Sequence, residues 1–316
     1  MISLVIPVYR NAENISALLP AVDRLHAALG GSLEAVLVVD GSPDDSFLRL
    51  ADALPKARYP SQLVLLSRNF GSFAAIRAGL AAGNGEFFAV MAADLQEPPE
   101  LVQEFVQRLA SGQCDVVVGE RTARSDPFLT RTLSGVFWGL YRHFIQPEIP
   151  AGGVDVFGCT RVVRDHILNM TETNSSLVGL LFWVGFRRQT VPYVRLQRLA
   201  GKSAWTLRKK VVYLMDSVFS FTDLPIRILL RIGTAGLLLS AALTVTVLAA
   251  KALGTIPVPG YAATVLTVTF FGALNCFGLG IIGGYVWRTF ENTKSRPNYI
   301  VASSLRFDGA SGDQAV

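Results

Sequence analysis

A single carboxylate at the end of an apolar run is the first feature that could do chemistry. The stretch FFAVMAADLQEPPE, residues 87–100, places Asp94 where a strand-like run gives way to a polar turn. A carboxylate there can bind a divalent cation that bridges a diphosphate and stabilises a departing nucleoside diphosphate. Sites of this kind usually carry two acids one residue apart, and here the first position is Ala92. The stretch therefore leaves two alternatives, a catalyst with fewer acids or a protein that has lost catalysis.

Polar side chains follow several other apolar runs. Asp40 comes directly after LEAVLVV, and its carboxylate can accept hydrogen bonds from a base or ribose, or cap the next helix. Arg121 and Arg131 can bind phosphate, although arginines also form ordinary surface ion pairs. The segments concerned read PVYRNAEN, DGSPDDS, SRNFGS, ADLQEPPE and GERTAR. Their acids, amides and arginines predict one ligand site formed by several loops together.

Short apolar runs alternate with helical patterns over the first third of the chain. We predict five strands there: Ile2–Pro7, Leu33–Val39, Leu63–Ser67, Phe87–Met91 and Asp115–Gly119. Helical periodicity lies between them, as in ENISALLPAVDRLHAAL, and VDVFGCTRVVRDHIL adds a strand and a helix. This alternation predicts an α/β fold with a mostly parallel sheet covered on both faces. Ligands of such sheets bind beyond the carboxyl ends of the strands, where the polar loops lie.

The hydrophobic residues are unevenly distributed. They make up 51% of the 316 residues, and the mean hydropathy of +0.39 is high for a soluble protein. Two stretches without charge, Ile232–Ala250 and Tyr261–Trp287, account for the excess. Each is long enough to cross a hydrocarbon core of about 30 Å as a helix. The N-terminus lacks the basic region of a signal peptide, so we expect a cytosolic domain followed by two membrane helices.

Basic residues flank these two stretches on their outer sides. LRKKVVY and PIRILLR precede the first stretch and WRTFENTKSR follows the second, whereas the connection between them carries only Lys251. The positive-inside rule therefore places both ends of the chain in the cytoplasm and the short connection outside. The net charge of +5 suits a domain that lies against anionic lipid. No nucleic-acid-binding motif accompanies the bases, so we expect no nucleic-acid partner.

These patterns divide the chain into four parts. We expect a catalytic domain at 1–200, juxtamembrane interface helices at 201–228, two membrane helices at 229–290 and a cytosolic tail at 291–316. Cys114, Cys159 and Cys276 are isolated in the sequence, and the three histidines form no ligand set. We therefore expect reduced, packed thiols and neither zinc nor iron.

Nine segments in order resemble the family 2 glycosyltransferases, and among them the polyisoprenyl-phosphate glycosyltransferases with two C-terminal membrane helices. The group includes dolichyl-phosphate mannose synthase and the undecaprenyl-phosphate glucosyl and aminoarabinose transferases. The segments are SLVIPVYRNAENI, VVDGSPDDS, SRNFGSFAAIRAGL, VMAADLQEPPEL, VVVGERTAR, GGVDVFGC, GFRRQTVPYVR, AGKSAWTLRKK and ENTKSRPNYIV. The resemblance covers residue 2 to about residue 301, and its specificity comes from the order of the segments.

The resemblance implies a GT-A-type fold and a membrane-anchored, inverting transfer of a sugar from a UDP- or GDP-sugar to polyprenyl (undecaprenyl) phosphate. It implies Mg²⁺ or Mn²⁺ as cofactor, the bacterial inner membrane as location and a homo-oligomer, dimeric or tetrameric. The nucleotide sugar would be bound by Pro7, Tyr9, Glu13, Asp40 and Arg68. The catalytic residues would be Asp94 and Asp155, with the metal on Asp94 and Gln96. The acceptor phosphate would be bound by Arg121, Arg131, Ser134, Arg198 and Lys202.

Two positions depart from the family pattern. Where the family often carries paired acids and an acid-x-acid motif, the first position of each is Val39 and Ala92. The diphosphate supplies oxygens of its own, so losing one ligand should weaken metal binding without abolishing it. Two alternatives stay open: a transferase that uses another lipid-linked or polysaccharide acceptor, and a catalytically degenerate scaffold. The QxxRW motif and the many spans of a processive synthase are missing.

A glycine-rich segment inside the second apolar stretch needs a separate interpretation. GLGIIGG, Gly278 to Gly284, fits the dinucleotide-binding pattern GxGxxG, but no strand precedes it. Gly280 and Gly284 instead form a GxxxG pair, which lets two helices approach closely. We therefore predict helix pairing at this segment and no dinucleotide site.

Overall fold

The computed structural model describes residues 1–123, 139, 142, 147–150, 153–172, 176–196, 215–253 and 260–309. Eight strands form one sheet: β1 Ile2–Val8, β2 Leu33–Val39, β3 Ser61–Leu66, β4 Phe87–Val90, β5 Val116–Ala123, β6 Val154–Thr160, β7 Arg188–Val194 and β8 Val301–Phe307. The described helices are α1 Ile15–Ala28, α2 Ser46–Ala53, α3 Ser72–Ala82, α4 Glu100–Ala110, α5 Arg161–Asn169, α6 Leu177–Trp183, α7 215–221, α8 Leu224–Ala252 and α9 Tyr261–Thr293.

The sheet is mostly parallel, as the alternating sequence predicted. Its strand order is β7-β5-β6-β4-β1-β2-β3-β8. The pairs β1–β2, β1–β4, β2–β3 and β5–β7 are parallel, and β4–β6, β5–β6 and β3–β8 are antiparallel. All five predicted strands exist. Strand β2 has the predicted ends, and each of the other four differs from its prediction by one to four residues at one or both ends.

Helices cover both faces of the sheet because successive strand residues point to opposite sides. On β2, Val36 and Val38 belong to the core under α3, α5 and α6, whereas Leu37 and Val39 belong to the core under α1 and α2. Every residue of β2 is buried, which explains its uninterrupted apolar sequence. Val39 is therefore a core residue, and an acid there would lie among aliphatic side chains.

The last strand, β8, comes from the segment expected to be a cytosolic tail. Its residues pair antiparallel with β3, from Ser61 opposite Phe307 to Leu66 opposite Val301. The amide of Ser67 also donates to the carbonyl of Ile300 at 2.9 Å. The prediction missed this strand because VASSLRF carries weak period-two patterning. Six of its seven residues are paired with β3, so the conformation depends on that pairing rather than on the local sequence.

The two long helices contain both predicted membrane stretches. Within the described residues, one segment, Phe270–Thr293, is long and apolar enough to cross a membrane, with a mean hydropathy of 1.4. This segment overlaps the second predicted span. The first predicted span, Ile232–Ala250, lies inside α8, but the expectation of two membrane helices is not confirmed by this criterion.

Helix α7 joins the sheet domain to α9. Phe221 packs on the core and lies so close to Gly179 of α6 that a Cβ there would be 2.4 Å from the ring. On its other side, Asp216 forms an ion pair of 2.7 Å with Arg288 of α9. The hydroxyl of Tyr285 donates to the carbonyl of Thr222 at 3.2 Å. The long helices are thus connected to the domain by packing as well as by the chain.

Candidate functional site

One edge of the sheet collects the ends of seven strands that carry polar residues. The parallel strands β1 to β4 end there, and β6, which runs antiparallel to β4, begins there. Strands β5 and β7 also end at this edge, because β5 is antiparallel to β6 and parallel to β7. The strand directions therefore bring Asp40, Asp94, Arg121 and Asp155 to one side of the sheet, as predicted for a shared site.

Asp40, at the end of β2, organises the loop that follows β3. Its carboxylate accepts hydrogen bonds from the amides of Phe70 at 2.7 Å and Gly71 at 2.9 Å, and from Nδ2 of Asn69 at 3.0 Å. The side chain is buried, so these bonds replace the water it has lost. Gly41 next to it has φ 53°, and a Cβ there would lie 2.2 Å from the Arg68 carbonyl carbon. The loop after β2 and the loop after β3 are therefore held together in one arrangement.

A second network fixes the loop after β1. The Asp44 carboxylate accepts from the Ser42 hydroxyl at 2.6 Å and from the amide of Ala12 at 3.1 Å, and Ser42 accepts from the amide of Arg10 at 2.8 Å. Partial burial raises the pKa of Asp44, but these bonds and those from Ser46 outweigh burial and hold it below its usual value. Asp44 therefore stays ionised and binds the loop from Arg10 to Ala12.

The loop after β4 presents Asp94. Met91 and Ala93 are buried in the core, Ala92 is partly exposed, and Asp94 is itself buried, with 9% of its surface exposed. Leu95 has φ 52°, a left-handed conformation that is uncommon outside glycine. Backbone strain of this kind concentrates at functional sites, because the surrounding structure has to enforce it. Asp94 thus lies in a turn whose shape is imposed by the fold.

Asp155, at the start of β6, is held by two side chains. Its Oδ2 atom accepts from the Arg121 guanidinium, in a close ion pair, and from the Tyr193 hydroxyl at 3.1 Å. Burial lowers the pKa of Arg121, but the adjacent Asp155 outweighs burial and raises it above its ordinary value. Burial and the Asp155 charge raise the pKa of Tyr193. Both donors therefore keep their protons, and Asp155 is oriented as an acceptor.

Glu97 is buried and feels the charges of both predicted catalytic acids. Its side chain is 3% exposed, and Oε2 has no hydrogen-bond partner within the described part of the chain. Burial raises the pKa of Glu97 to about 7, and the negative charges of Asp155 and Asp94 add to the effect. A proton on Glu97 would remove one of three neighbouring negative charges. Asp94 and Asp155 are therefore both close enough to Glu97 to raise its pKa.

Gln96 forms hydrogen bonds with the two residues that follow β7. Its backbone carbonyl accepts from the amide of Leu196 at 2.8 Å, and its side-chain nitrogen donates to the Leu196 carbonyl at 3.3 Å. Its side-chain oxygen accepts from Arg195 at 2.6 Å. The oxygen expected to bind a metal is therefore in contact with a guanidinium in this structure.

The remaining predicted residues fall into two groups. Pro7 and Tyr9 lie at the end of β1, Glu13 is exposed before α1, and Arg68 follows β3 with its guanidinium 4.3 Å from the Phe70 ring. Arg121 is at the site, but its guanidinium contacts Asp155. The other four residues predicted to bind the acceptor phosphate lie outside the described residues: Arg131, Ser134, Arg198 and Lys202.

The structure adds three residues that sequence reasoning did not assign to the site: Glu97, Tyr193 and Arg195. Tyr193 belongs to β7 and Arg195 follows it, in a segment for which no strand was predicted. The segment RQTVPYV does alternate buried and exposed residues near its end, which is the signal that could have revealed a strand.

The sequence matches proteins of known family. The model of glycosyl transferase family 2 matches residues 3–170. The prophage bactoprenol glucosyl transferase homolog of Escherichia coli (strain K12) is 31% identical over 305 residues, 95% of this chain and 98% of that protein. The bactoprenol glucosyl transferase of Shigella phage SfX is 30% identical over 307 residues, 96% of this chain and 99% of that protein.

A solved structure is also similar. Glucosyl-3-phosphoglycerate synthase from Mycobacterium tuberculosis, in complex with Mn²⁺, UDP-glucose and phosphoglyceric acid, aligns with a TM-score of 0.49 and 18% identity, over 69% of this chain and 77% of that chain. The α/β fold with its mostly parallel sheet is GT-A-like. The family match covers more than half of the chain, and the relatives match nearly all of it. The chain belongs to glycosyl transferase family 2 and is a glycosyltransferase.

Proposed function

We propose that the chain transfers a sugar from a UDP- or GDP-sugar to polyprenyl phosphate, with undecaprenyl phosphate as the acceptor, at the cytoplasmic face of the bacterial inner membrane. The product is a sugar linked to the lipid phosphate, for synthesis or modification of cell-envelope glycans. Two relatives that match nearly the whole chain carry the name bactoprenol glucosyl transferase, which supports a lipid acceptor and makes glucose the first sugar to test.

The observation that carries the proposal is where the chain leaves and rejoins the sheet. Strand β7 ends at the site edge, and the chain continues from there toward α7, α8 and α9. Strand β8 begins at the same edge, because it runs antiparallel to β3. The last residue of β7 and the first residue of β8 therefore lie at the same edge of the sheet as Asp94 and Asp155. This arrangement supports a site next to the membrane, where a lipid phosphate would have to react, because withdrawing each methylene from the bilayer costs about 0.8 kcal/mol.

The donor side of the proposed site rests on the loop from Asp94 to Gln96. Asp94 would hold Mg²⁺ or Mn²⁺ together with oxygens of the diphosphate, and Gln96 would join once its side chain leaves Arg195. One or two carboxylates plus substrate phosphates are the usual ligands of Mg²⁺, so this small oxygen-donor set fits such an ion. When bound, the ion would neutralise charge on the departing nucleoside diphosphate.

The acceptor side needs little base catalysis. A lipid phosphate is already anionic and can attack the anomeric carbon in one displacement, which inverts that carbon. Asp155 is paired with Arg121 and accepts from Tyr193, so it is suited to receive a hydrogen bond from a sugar hydroxyl. We therefore assign Asp155 the task of orienting the donor sugar rather than removing a proton.

The membrane arrangement is part of the proposal. Both α8 and α9 would cross the bilayer as the span pair at 229–290, after interface helices at 201–228. The catalytic domain would consist of residues 1–200 together with β8 from the segment 291–316. The basic segments before α8 and after α9 support cytoplasmic ends. The GxxxG pair at Gly280 and Gly284 supports association of α9 with a second copy of the chain in a homodimer or homotetramer.

The proposal is tested by supplying the full-length protein, in membranes, with a panel of labelled UDP- and GDP-sugars and undecaprenyl phosphate. Labelled lipid should appear with one donor and disappear when the acceptor is omitted. Transfer to another lipid-linked acceptor or to a polysaccharide would replace the acceptor in the proposal. Consumption of no donor by well-folded protein would favour the degenerate-scaffold alternative that Val39 and Ala92 raise.

A further inference from the structure

The end of β7 contacts two separate parts of the site. Tyr193 and Arg195 are two residues apart, so their side chains leave the extended chain on the same side. Tyr193 donates to Asp155 on β6 at 3.1 Å, and Arg195 donates to Gln96 in the loop after β4 at 2.6 Å. Neighbouring β5 contributes Arg121 to the same carboxylate. One strand end therefore links the Asp155 side chain to the loop that carries Asp94.

The Tyr193 side chain is fixed by its surroundings. It is 5% exposed and belongs to a core with Val156 and Val191. The absence of a side chain at Gly119 makes room for the ring, because a Cβ there would lie 3.1 Å from ring atom Cε1. The Thr122 hydroxyl donates to the Tyr193 carbonyl at 3.1 Å. A ring packed on several sides can hold its hydroxyl in one place.

The contacts to Asp155 distinguish its two oxygens. Oδ2 receives the donors of both Arg121 and Tyr193, whereas the structure records no donor to Oδ1 from the described residues. The side chain is 29% exposed, so a ligand can reach it. Two donors on one oxygen fix the rotation of the carboxylate and leave the other oxygen for a ligand.

We propose that Tyr193 and Arg195 are positioning residues: together they set the placement of Asp155 relative to the loop from Asp94 to Gln96, so that Asp155 Oδ1 meets the donor sugar while its diphosphate lies on that loop. The inference rests on the proposed function. Neither residue needs to touch the substrate. A displacement of about 1 Å between reacting groups can lower a rate by roughly a hundredfold, so the effect of losing a positioning contact falls on kcat.

Conservative substitutions in the full-length protein test the inference, with undecaprenyl phosphate and the labelled UDP- or GDP-sugar that gives the highest turnover in the donor panel. Tyr193→Phe keeps the packed ring and removes only the hydroxyl. We expect kcat to fall roughly tenfold, with both KM values within about twofold of wild type. Arg195→Gln should behave in the same way. The matched controls Tyr59→Phe and Arg187→Gln should keep wild-type kcat, because both residues lie just before strands, β3 and β7, and so at the opposite edge of the sheet.

A double-mutant cycle separates positioning from general damage. If Tyr193 acts through Asp155, adding Tyr193→Phe to Asp155→Asn should change kcat by less than about twofold. Three results would overturn the inference: an equal loss of kcat when Tyr193→Phe is made in wild type and in Asp155→Asn, an effect of Tyr193→Phe on KM alone, or wild-type kcat in Tyr193→Phe. Thermal unfolding of each variant checks that a lower kcat does not come from unfolded protein. Absence of transfer by wild-type protein would contradict the proposed function, whereas an active wild type with an equally active Tyr193→Phe contradicts only the positioning role.

Discussion

Arg195 donates a hydrogen bond of 2.6 Å to the side-chain oxygen of Gln96, and this bond joins the end of β7 to the loop that presents Asp94. The backbone bond between Leu196 and Gln96, at 2.8 Å, strengthens the same connection. The predicted metal ligand Gln96 is therefore also a structural link. Any metal contact through its oxygen requires the Arg195 bond to open or to be shared.

Metal dependence should rest on Asp94. Asp94→Asn keeps the size of the side chain and removes its charge, so turnover should fall by about a hundredfold or more, as expected for loss of a group that stabilises transition-state charge. Transfer assays with and without a chelator measure the effect, and Asp52→Asn on exposed α2 is the matched control. Full activity in chelator, or in Asp94→Asn, would contradict the assignment.

Ala92→Asp should strengthen metal binding. Ala92 begins the turn that contains Asp94, because the amide of Leu95 donates to the Ala92 carbonyl at 3.4 Å, so a new carboxylate at position 92 would be close to the proposed ion. The divalent-ion concentration for half-maximal activity should fall, because a second carboxylate adds a ligand. Activity measured over a range of Mg²⁺ and Mn²⁺ concentrations gives this half-maximal value for wild type and for Ala92→Asp. An unchanged half-maximal concentration would show that position 92 does not face the ion.

Glu97 should make stability depend on pH. Its folded-state pKa of about 7 lies above the unfolded value of 4.5, so the folded protein binds the extra proton between these values. The free energy of unfolding should therefore decrease as pH rises from about 4.5 to 7, by up to roughly 3 kcal/mol. Thermal unfolding in chelator should show this decrease in wild type and a flatter profile in Glu97→Gln. Parallel profiles for the two proteins would exclude Glu97 as the cause.

Asp40→Asn should loosen two loops at once. The amide would place a donor against the donors of Asn69, Phe70 and Gly71, and each polar group left unsatisfied costs about 1–3 kcal/mol. We expect a lower melting temperature and a higher KM for the donor. The exposed neighbour Asp45 provides the control Asp45→Asn, which should change neither. A wild-type melting temperature in Asp40→Asn would show that the loop does not depend on this carboxylate.

Lys202 lies outside the described residues, and its predicted contact with the acceptor phosphate is tested by activity alone. Lys202→Ala should raise the KM for undecaprenyl phosphate and leave the KM for the donor unchanged. The defect should persist in detergent, where no anionic bilayer attracts basic residues. Exposed Lys56 gives the control Lys56→Ala. A defect seen only in anionic liposomes would show that Lys202 docks the domain on lipid.

The parallel part of the fold could be predicted from local sequence patterns, because its strands are short apolar runs and its helices show helical periodicity. Strand β2 was predicted with its observed ends, Leu33–Val39, since a strand buried on both faces is apolar throughout. The edge strands β7 and β8 were missed. Their partners, β5 and β3, determine their conformation, and no local pattern records such long-range pairing.

The site was predicted in part for a similar reason. Asp40, Asp94 and Asp155 follow or begin apolar runs, so their place at the sheet edge follows from strand order. Their partners could not be inferred in this way. Tyr193 meets Asp155 across 38 positions of sequence and Arg195 meets Gln96 across 99, and both contacts depend on β7 lying beside β5.

The pairing of β8 with β3 also has a consequence for biosynthesis. Strand β3 is made early, but its outer edge stays unpaired until Val301–Phe307 have been translated, after both α8 and α9. An unpaired edge can pair with other chains, so the nascent domain is exposed to aggregation while the apolar helices are being translated. Completion of the catalytic sheet therefore has to wait until both long helices have been translated, and a chain shortened before residue 301 leaves β3 without its partner.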